Sequence, residues 1–80
     1  MHCVYLLRSE KQPTQTYVGL TQDMEKRLRS HNEGANRHTA KYRPWKLVCY
    51  TAFSSRERAA EFEQYLKVGS GHAFAKRHFW

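Results

Sequence analysis

Cys3-Val4-Tyr5-Leu6-Leu7 and Thr16-Tyr17-Val18-Gly19-Leu20 are two short apolar runs separated by the polar segment Arg8-Ser9-Glu10-Lys11-Gln12-Pro13-Thr14-Gln15. Valine and tyrosine, which favour strands, occur in both, and a proline lies between them, so the pair reads as a β-hairpin with a long turn. Side chains alternate across a strand, which puts Cys3, Tyr5 and Leu7 on one side and Val4 and Leu6 on the other. In the second strand Tyr17 shares a side with Gly19, so Tyr5 and Tyr17 can lie on the same face of neighbouring strands. A tyrosine in a strand is ordinarily packing, with its hydroxyl at the rim. A glycine inside a strand is less neutral, because it weakens pairing and often marks the close approach of another backbone or a ligand.

Beyond the hairpin, Thr21 or Asp23 can cap a helix that carries Asp23 and Glu25 early and Arg27, Arg29 and His31 late, the charge order favoured by the helix dipole. Gly34 supplies a stop. Residues 35–46 form a basic link with no helical or alternating pattern, and a third strand is expected over Leu47 to Phe53. Ser54 with Glu57 three residues on is a capping box that opens a second helix running to about Lys67. Val68-Gly69-Ser70-Gly71 breaks it, and His72 to Phe79 can form a short third helix. The order is ββαβαα, which predicts an α+β fold: a three-stranded, mainly antiparallel sheet flanked by helices. With no internal repeat or linker, residues 1–80 are expected to form a single domain.

Lys+Arg number 14 and Asp+Glu 7 in 80 residues, a formal net charge of +7. That excess favours a polyanion, with nucleic acid leading, because each neutralised phosphate releases condensed counterions. Cys3 and Cys49 both lie in apolar runs and read as buried free thiols of a reducing compartment. None of the five histidines pairs with a cysteine or another histidine at the close spacing of a structural zinc site. No segment resembles a secretory signal or approaches the roughly 18 apolar residues of a membrane span, so a soluble, cytoplasmic protein is expected.

Two charges sit where apolar residues belong. In the first helix Met24, Arg27, Leu28 and His31 share a face at spacings of three and four, which places Arg27 and His31 on or beside the side that meets the sheet. In the second helix Ala59, Phe62, Glu63 and Leu66 share a face, so Glu63 interrupts an apolar stripe. Arg27 and Glu63 could form a partly buried ion pair, or sit wet at the helix flanks, or carry chemistry.

Val4-Tyr5-Leu6 followed by Tyr17-Val18-Gly19 resembles the paired motif of the GIY-YIG nuclease superfamily. The order of the later parts agrees: a helix with Arg27 and His31, a basic loop and strand, then a helix with Glu63 in the form Glu-x-x-Leu-Lys. The resemblance runs from Cys3 to the end of the second helix, and is to the small stand-alone members related to the nuclease domain of bacterial excision repair and to intron-encoded homing endonucleases. The tail from Gly69 to Arg77 looks similar as well. The first motif keeps only its tyrosine, a departure that touches packing more than chemistry.

The resemblance implies an endonuclease that hydrolyses DNA phosphodiesters with one divalent metal, structure-selective and linked to repair or recombination. Its catalytic set would be Tyr5, Tyr17, Arg27, His31 and Glu63. A lone Glu63 suffices to hold Mg2+, with Mn2+ a possible substitute, because that ion keeps several waters and takes further ligands from phosphate. Arg27 would meet the non-bridging oxygens where charge grows. The base would be Tyr5, Tyr17 or His31, of which His31 titrates near ~6.5 unaided; the resemblance points to Tyr5, its pKa lowered by cations such as Arg27 or Lys26, with Tyr17 and His31 in supporting roles.

The segment holding Arg37, His38, Lys41, Tyr42, Arg43 and Trp45 interleaves cations with aromatics, as phosphate clamping and base stacking require. Lys26, Arg37, Lys41, Tyr42, Arg43 and Lys67 are therefore the expected DNA contacts, although Trp45 beside Pro44 also suits packing on the sheet. No small-molecule cofactor and no membrane partner are expected, while a protein partner could supply targeting. The alternatives are a DNA-binding module of the same fold with weak or no turnover, and an adaptor whose basic face meets an acidic protein.

Overall fold

The computed structural model describes residues 1–80. Strand β1 runs His2–Ser9, β2 Thr16–Thr21 and β3 Trp45–Phe53; helix α1 spans Met24–Asn32, α2 Arg37–Ala40, α3 Arg56–Lys67 and α4 Gly69–His78. The sheet order is β2-β1-β3 and both pairings are antiparallel, so the expected α+β architecture is present. The first strand, with alternating hydrophobic demands on both faces, takes the centre.

Alternation along β1 divides the core in two. Val4 and Leu6 pack with Ala59, Leu66 and Ala75 under α3 and α4. Tyr5 and Leu7 pack with Trp45, Met24 and Leu28 under α1. The sheet is thus covered on opposite faces by α1 and by α3 with α4. In β3 the register against β1 slips between Leu6 and Leu7, so Val48 is an extra residue. This bulge changes the phase of the strand, letting Trp45 and Leu47 face α1 while Cys49 and Phe53 face α3.

Several boundaries differ from the sequence reading. Asp23 is the cap of α1, accepting from the Lys26 amide, and Gly34 follows the helix at a φ of 81°. The cap of α3 is Ser55 rather than Ser54: Ser55 Oγ accepts from the Arg58 amide and donates to Glu57, because the strand extends to Phe53 and one more residue is needed to turn. The basic link is not wholly irregular. Asn36 caps the one-turn helix α2, accepting from the His38 amide, a local side-chain device that leaves no periodic trace in so short a segment. Helix α4 begins at Gly69, so only Val68 interrupts the two last helices.

Asn32, at the end of α1, accepts from the Trp45 amide and donates to the Trp45 carbonyl. This reciprocal pair ties the C-terminal turn of α1 to the start of β3 and fixes the height of the preceding residue, His31, above the sheet.

Gly19 stands opposite Tyr5 in the β1–β2 register. The distal end of the Tyr5 ring occupies the space that a side chain at Gly19 would take: a Cβ there would overlap Tyr5 Cζ and Oη. Tyr5 is 1% exposed and cannot retreat. Gly19→Ala is therefore expected to destabilise the fold by about 1–3 kcal/mol through overpacking, read as a lower urea midpoint with unchanged slope.

Candidate active site

From the centre of the sheet, Tyr5 lays its ring across the edge strand β2, and its hydroxyl meets a helix residue there. Tyr5 Oη and His31 Nε2 share a hydrogen bond of 2.9 Å, and His31 Nδ1 shares another of 2.9 Å with Thr39 Oγ1. His31 is 2% exposed. Tyr17, also on the α1 face, presents its ring edgewise to His31 with centroids 4.9 Å apart, and lies 6.1 Å from the Tyr5 ring. Three of the five expected site residues therefore form one aromatic, hydrogen-bonded cluster.

The two expected charges come from separate helices, Arg27 from α1 and Glu63 from α3. Arg27 is exposed, not buried, because Met24, Leu28 and His31 occupy the centre of the helix stripe and leave Arg27 on its edge. It joins neither of the chain's two ion pairs, Glu25–Arg29 and Glu63–Lys67. The structural Arg27–Glu63 pair considered from the sequence is thus absent. Glu63 comes from α3 on the opposite face, has a side chain 15% exposed, and places Oε2 3.1 Å from Lys67 Nζ. Lys67 thereby faces this carboxylate instead of standing free for a phosphate.

Both charges are nonetheless felt at Tyr5. Burial and the neighbouring Tyr17 raise the Tyr5 pKa well above the ordinary phenol value; Arg27 pulls it down and Glu63 pushes it up again. The expectation that cations would lower it is corrected: desolvation of a buried phenolate outweighs one exposed guanidinium. His31 is moved below its ordinary value, first by burial and then by Arg27. Near neutrality the pair consists of a protonated phenol and a neutral imidazole.

An open cleft of about 630 Å³ adjoins Arg27, lined also by His2, Thr21, Gln22, Lys26, Ser30 and Arg56. Lys26 is in this wall as a candidate phosphate contact, but His2 and Arg56 had no signal in the sequence, since they lie on separate elements and only the fold brings them together. Arg37, Lys41 and Arg43 are exposed around α2, and Tyr42 packs edgewise on Trp45 at 6.5 Å instead of offering its ring to a base. Trp45 is buried and its Nε1 donates to the Thr39 carbonyl. Thr39 was not among the expected site residues, because a contact between residues 31 and 39 follows no helix or strand period.

The donor set of Glu63, neutral imidazole and phenols contains no group of three or more His, Cys, Asp or Glu residues placed to enclose a metal. It fits a hard divalent cation held by one carboxylate and completed by water and a phosphate.

A tyrosine pair on two adjacent strands, a histidine and an arginine on the following helix and a glutamate on the next long one define a GIY-YIG domain, and residues 1–75 match the model of the GIY-YIG catalytic domain. The chain belongs to this family. It is similar to the structure-specific endonuclease subunit SLX1 of Kluyveromyces lactis, 43% identical over 70 residues that cover 78% of this chain and 24% of that protein. It is also 43% identical, over 86 residues, to the subunit of the same name in Aspergillus niger, covering 96% of this chain and 20% of that protein. The chain thus spans about a fifth to a quarter of the length of these curated relatives. Among solved structures, a UPF0213 protein from Bacillus halodurans aligns with a TM-score of 0.55 and 32% identity, over 94% of this chain and 79% of that one. No helix is long and apolar enough to cross a membrane.

Because His31 is held neutral in the fold, the unfolded chain binds more protons between the depressed His31 value and the ordinary ~6.5, so stability rises with pH through that window and is lost as pH falls through it. Urea unfolding is expected to shift to lower midpoints on acidification below about pH 6.5. In His31→Gln the loss over the same window is expected to be smaller.

Proposed function

We propose that this chain is a divalent-metal-dependent endonuclease that hydrolyses DNA phosphodiesters inside the cell, with residues 1–80 acting as one catalytic unit. The observation that carries the reading is the buried Tyr5–His31 hydrogen bond, with the charges of Arg27 and Glu63 acting on Tyr5 in opposite senses. A protonated phenol is no base by itself. Coupled to a neutral imidazole it becomes one: as a water attacking phosphorus gives its proton to Tyr5 Oη, the phenol proton passes to His31 Nε2, leaving neutral tyrosine and imidazolium, while the P–O bond to one ester oxygen breaks and that oxygen takes a proton from solvent. The Tyr17 ring, edge-on to His31, holds the imidazole in place.

Arg27 approaches from the solvent side, where its free guanidinium can meet the non-bridging oxygens of the scissile phosphate. Glu63 would hold Mg2+, or Mn2+ in its place, displacing the Lys67 ammonium. When bound, such an ion withdraws charge from the phosphate oxygens. The cleft beside Arg27 offers a track for the backbone next to the scissile bond, with Lys26 and Arg56 as its further cations and Asp23 as its one carboxylate, while Arg37, Lys41 and Arg43 approach from the α2 side. The curated relatives are named as subunits of structure-specific endonucleases. Those names support structure-selective cutting and a protein partner, which we propose supplies targeting; we further propose branched, flapped or nicked DNA as the substrate and a place in repair or recombination.

With labelled flap and nicked duplexes in Mg2+, the protein is expected to cut, Glu63→Gln to abolish cutting, and Arg27→Ala to lower kcat by about 10²–10³, all with DNA binding retained. Undiminished cleavage by Glu63→Gln would overturn the reading. Lys26→Ala and Arg56→Ala are expected to weaken binding evenly across sequences and each to reduce the salt slope of log K by about 1, as loss of one phosphate contact requires.

A further inference from the structure

We propose that Thr39 is a positioning residue for the reaction: it sets the tautomer of His31, so that the lone pair of Nε2 faces the Tyr5 hydroxyl. This rests on the nuclease reading above for its catalytic consequence, but not for the tautomer itself.

A threonine hydroxyl has one proton to give. Thr39 Oγ1 lies 3.3 Å from the Asn36 carbonyl, to which it donates, and 2.9 Å from His31 Nδ1. Donation to the carbonyl three residues back is the ordinary local bond of a threonine in a first helical turn. With its proton committed there, Oγ1 can only accept from His31, so Nδ1 carries the hydrogen. A neutral imidazole has one N–H, which leaves Nε2 bare and obliges Tyr5 to donate across their 2.9 Å contact.

The surroundings hold Thr39 to this task. It is 1% exposed, its carbonyl accepts from Trp45 Nε1 at 2.8 Å, and Trp45 is itself clamped by Asn32, the neighbour of His31. The elements around the imidazole present Tyr5 from β1, Tyr17 from β2, Arg27 from its own helix and Thr39 from α2. None of the other three can accept the Nδ1 proton in place of Thr39, since Tyr5 is on Nε2, Tyr17 touches the ring edgewise and a guanidinium only donates. In the opposite tautomer Nε2–H would point at Tyr5 Oη, and the phenol proton would have no basic acceptor when the water is deprotonated. Thr39 also lies between Arg37 and Lys41, so the segment expected to touch DNA is the one that orients the imidazole.

The test reads the two ring nitrogens of His31 by long-range proton–nitrogen correlation in ¹⁵N-labelled full chain, alongside steady-state cleavage of flap DNA. Wild type is expected to show the Nδ1–H form. Thr39→Val, which keeps the shape and removes the oxygen, is expected to lose that preference and to lower kcat by roughly 10–100-fold with KM unchanged; Thr39→Ser is expected to restore both. An Nε2–H signal in wild type overturns the proposal whether or not Thr39→Val folds. So does a Thr39→Val protein that loses activity while His31 keeps its tautomer. If the protein cuts no DNA at all, the nitrogen signals still decide the role of Thr39, and the nuclease reading fails separately.

Discussion

The Tyr5 ring lies where Gly19 has no side chain, and the rest of the site depends on that overlap of one strand by its neighbour. Tyr5 belongs to the central strand, hydrogen-bonded on both sides, so its backbone is the least free to move. A residue so placed would ordinarily end its side chain inside the core. Because the edge strand leaves a gap at Gly19, the phenol passes outward over it and its hydroxyl reaches the place where α1, β2 and α2 converge. Two buried polar groups meet there, and each would destabilise the fold if left unpaired. The chain Tyr5–His31–Thr39 satisfies them in sequence, and Trp45 and Asn32 hold its far end. With the tautomer proposed for His31, the same bonds that make the polar core tolerable give the phenol a proton acceptor.

Electrostatics adds a division of labour. Arg27 and Glu63 reach the site from helices on opposite faces of the sheet and do not neutralise one another. Arg27 is exposed and joins no ion pair. Glu63 is shielded and already faces a cation, Lys67, which shows that its position suits positive charge. At the centre, burial dominates: it keeps the proton on Tyr5 and off His31. In the proposed mechanism one proton moves along one hydrogen bond, which is a smaller demand than ionising a buried tyrosine outright.

Much of this was legible in residue order, and for identifiable reasons. The period of two put Tyr5 and Tyr17 on one face, and the periods of three and four singled out Glu63 within an apolar stripe. The strand glycine signalled a close approach, which proved to be Tyr5 itself. The failures share a cause as well. A side-chain cap can sit one residue earlier or later, so Ser55 replaced Ser54. A one-turn helix such as α2 has no room for a period. The pKa of Tyr5 was expected to fall because cations are visible in a sequence, whereas depth of burial is not. Thr39, His2 and Arg56 carry no motif, and their neighbours in space are far away in the chain.

The sequence by itself determined the order and kind of the main elements, the basic character of the chain and the five residues proposed for the site, because these rest on local periodicity, composition and motif spacing. Only the tertiary structure decided which helix covers which face, that Arg27 is free and Glu63 paired, and that a threonine from the basic link holds His31. Those outcomes depend on the bulge at Val48, on the Asn32 clamp and on the space above Gly19. Each is a matter of how separate elements meet, and no single stretch of chain encodes it.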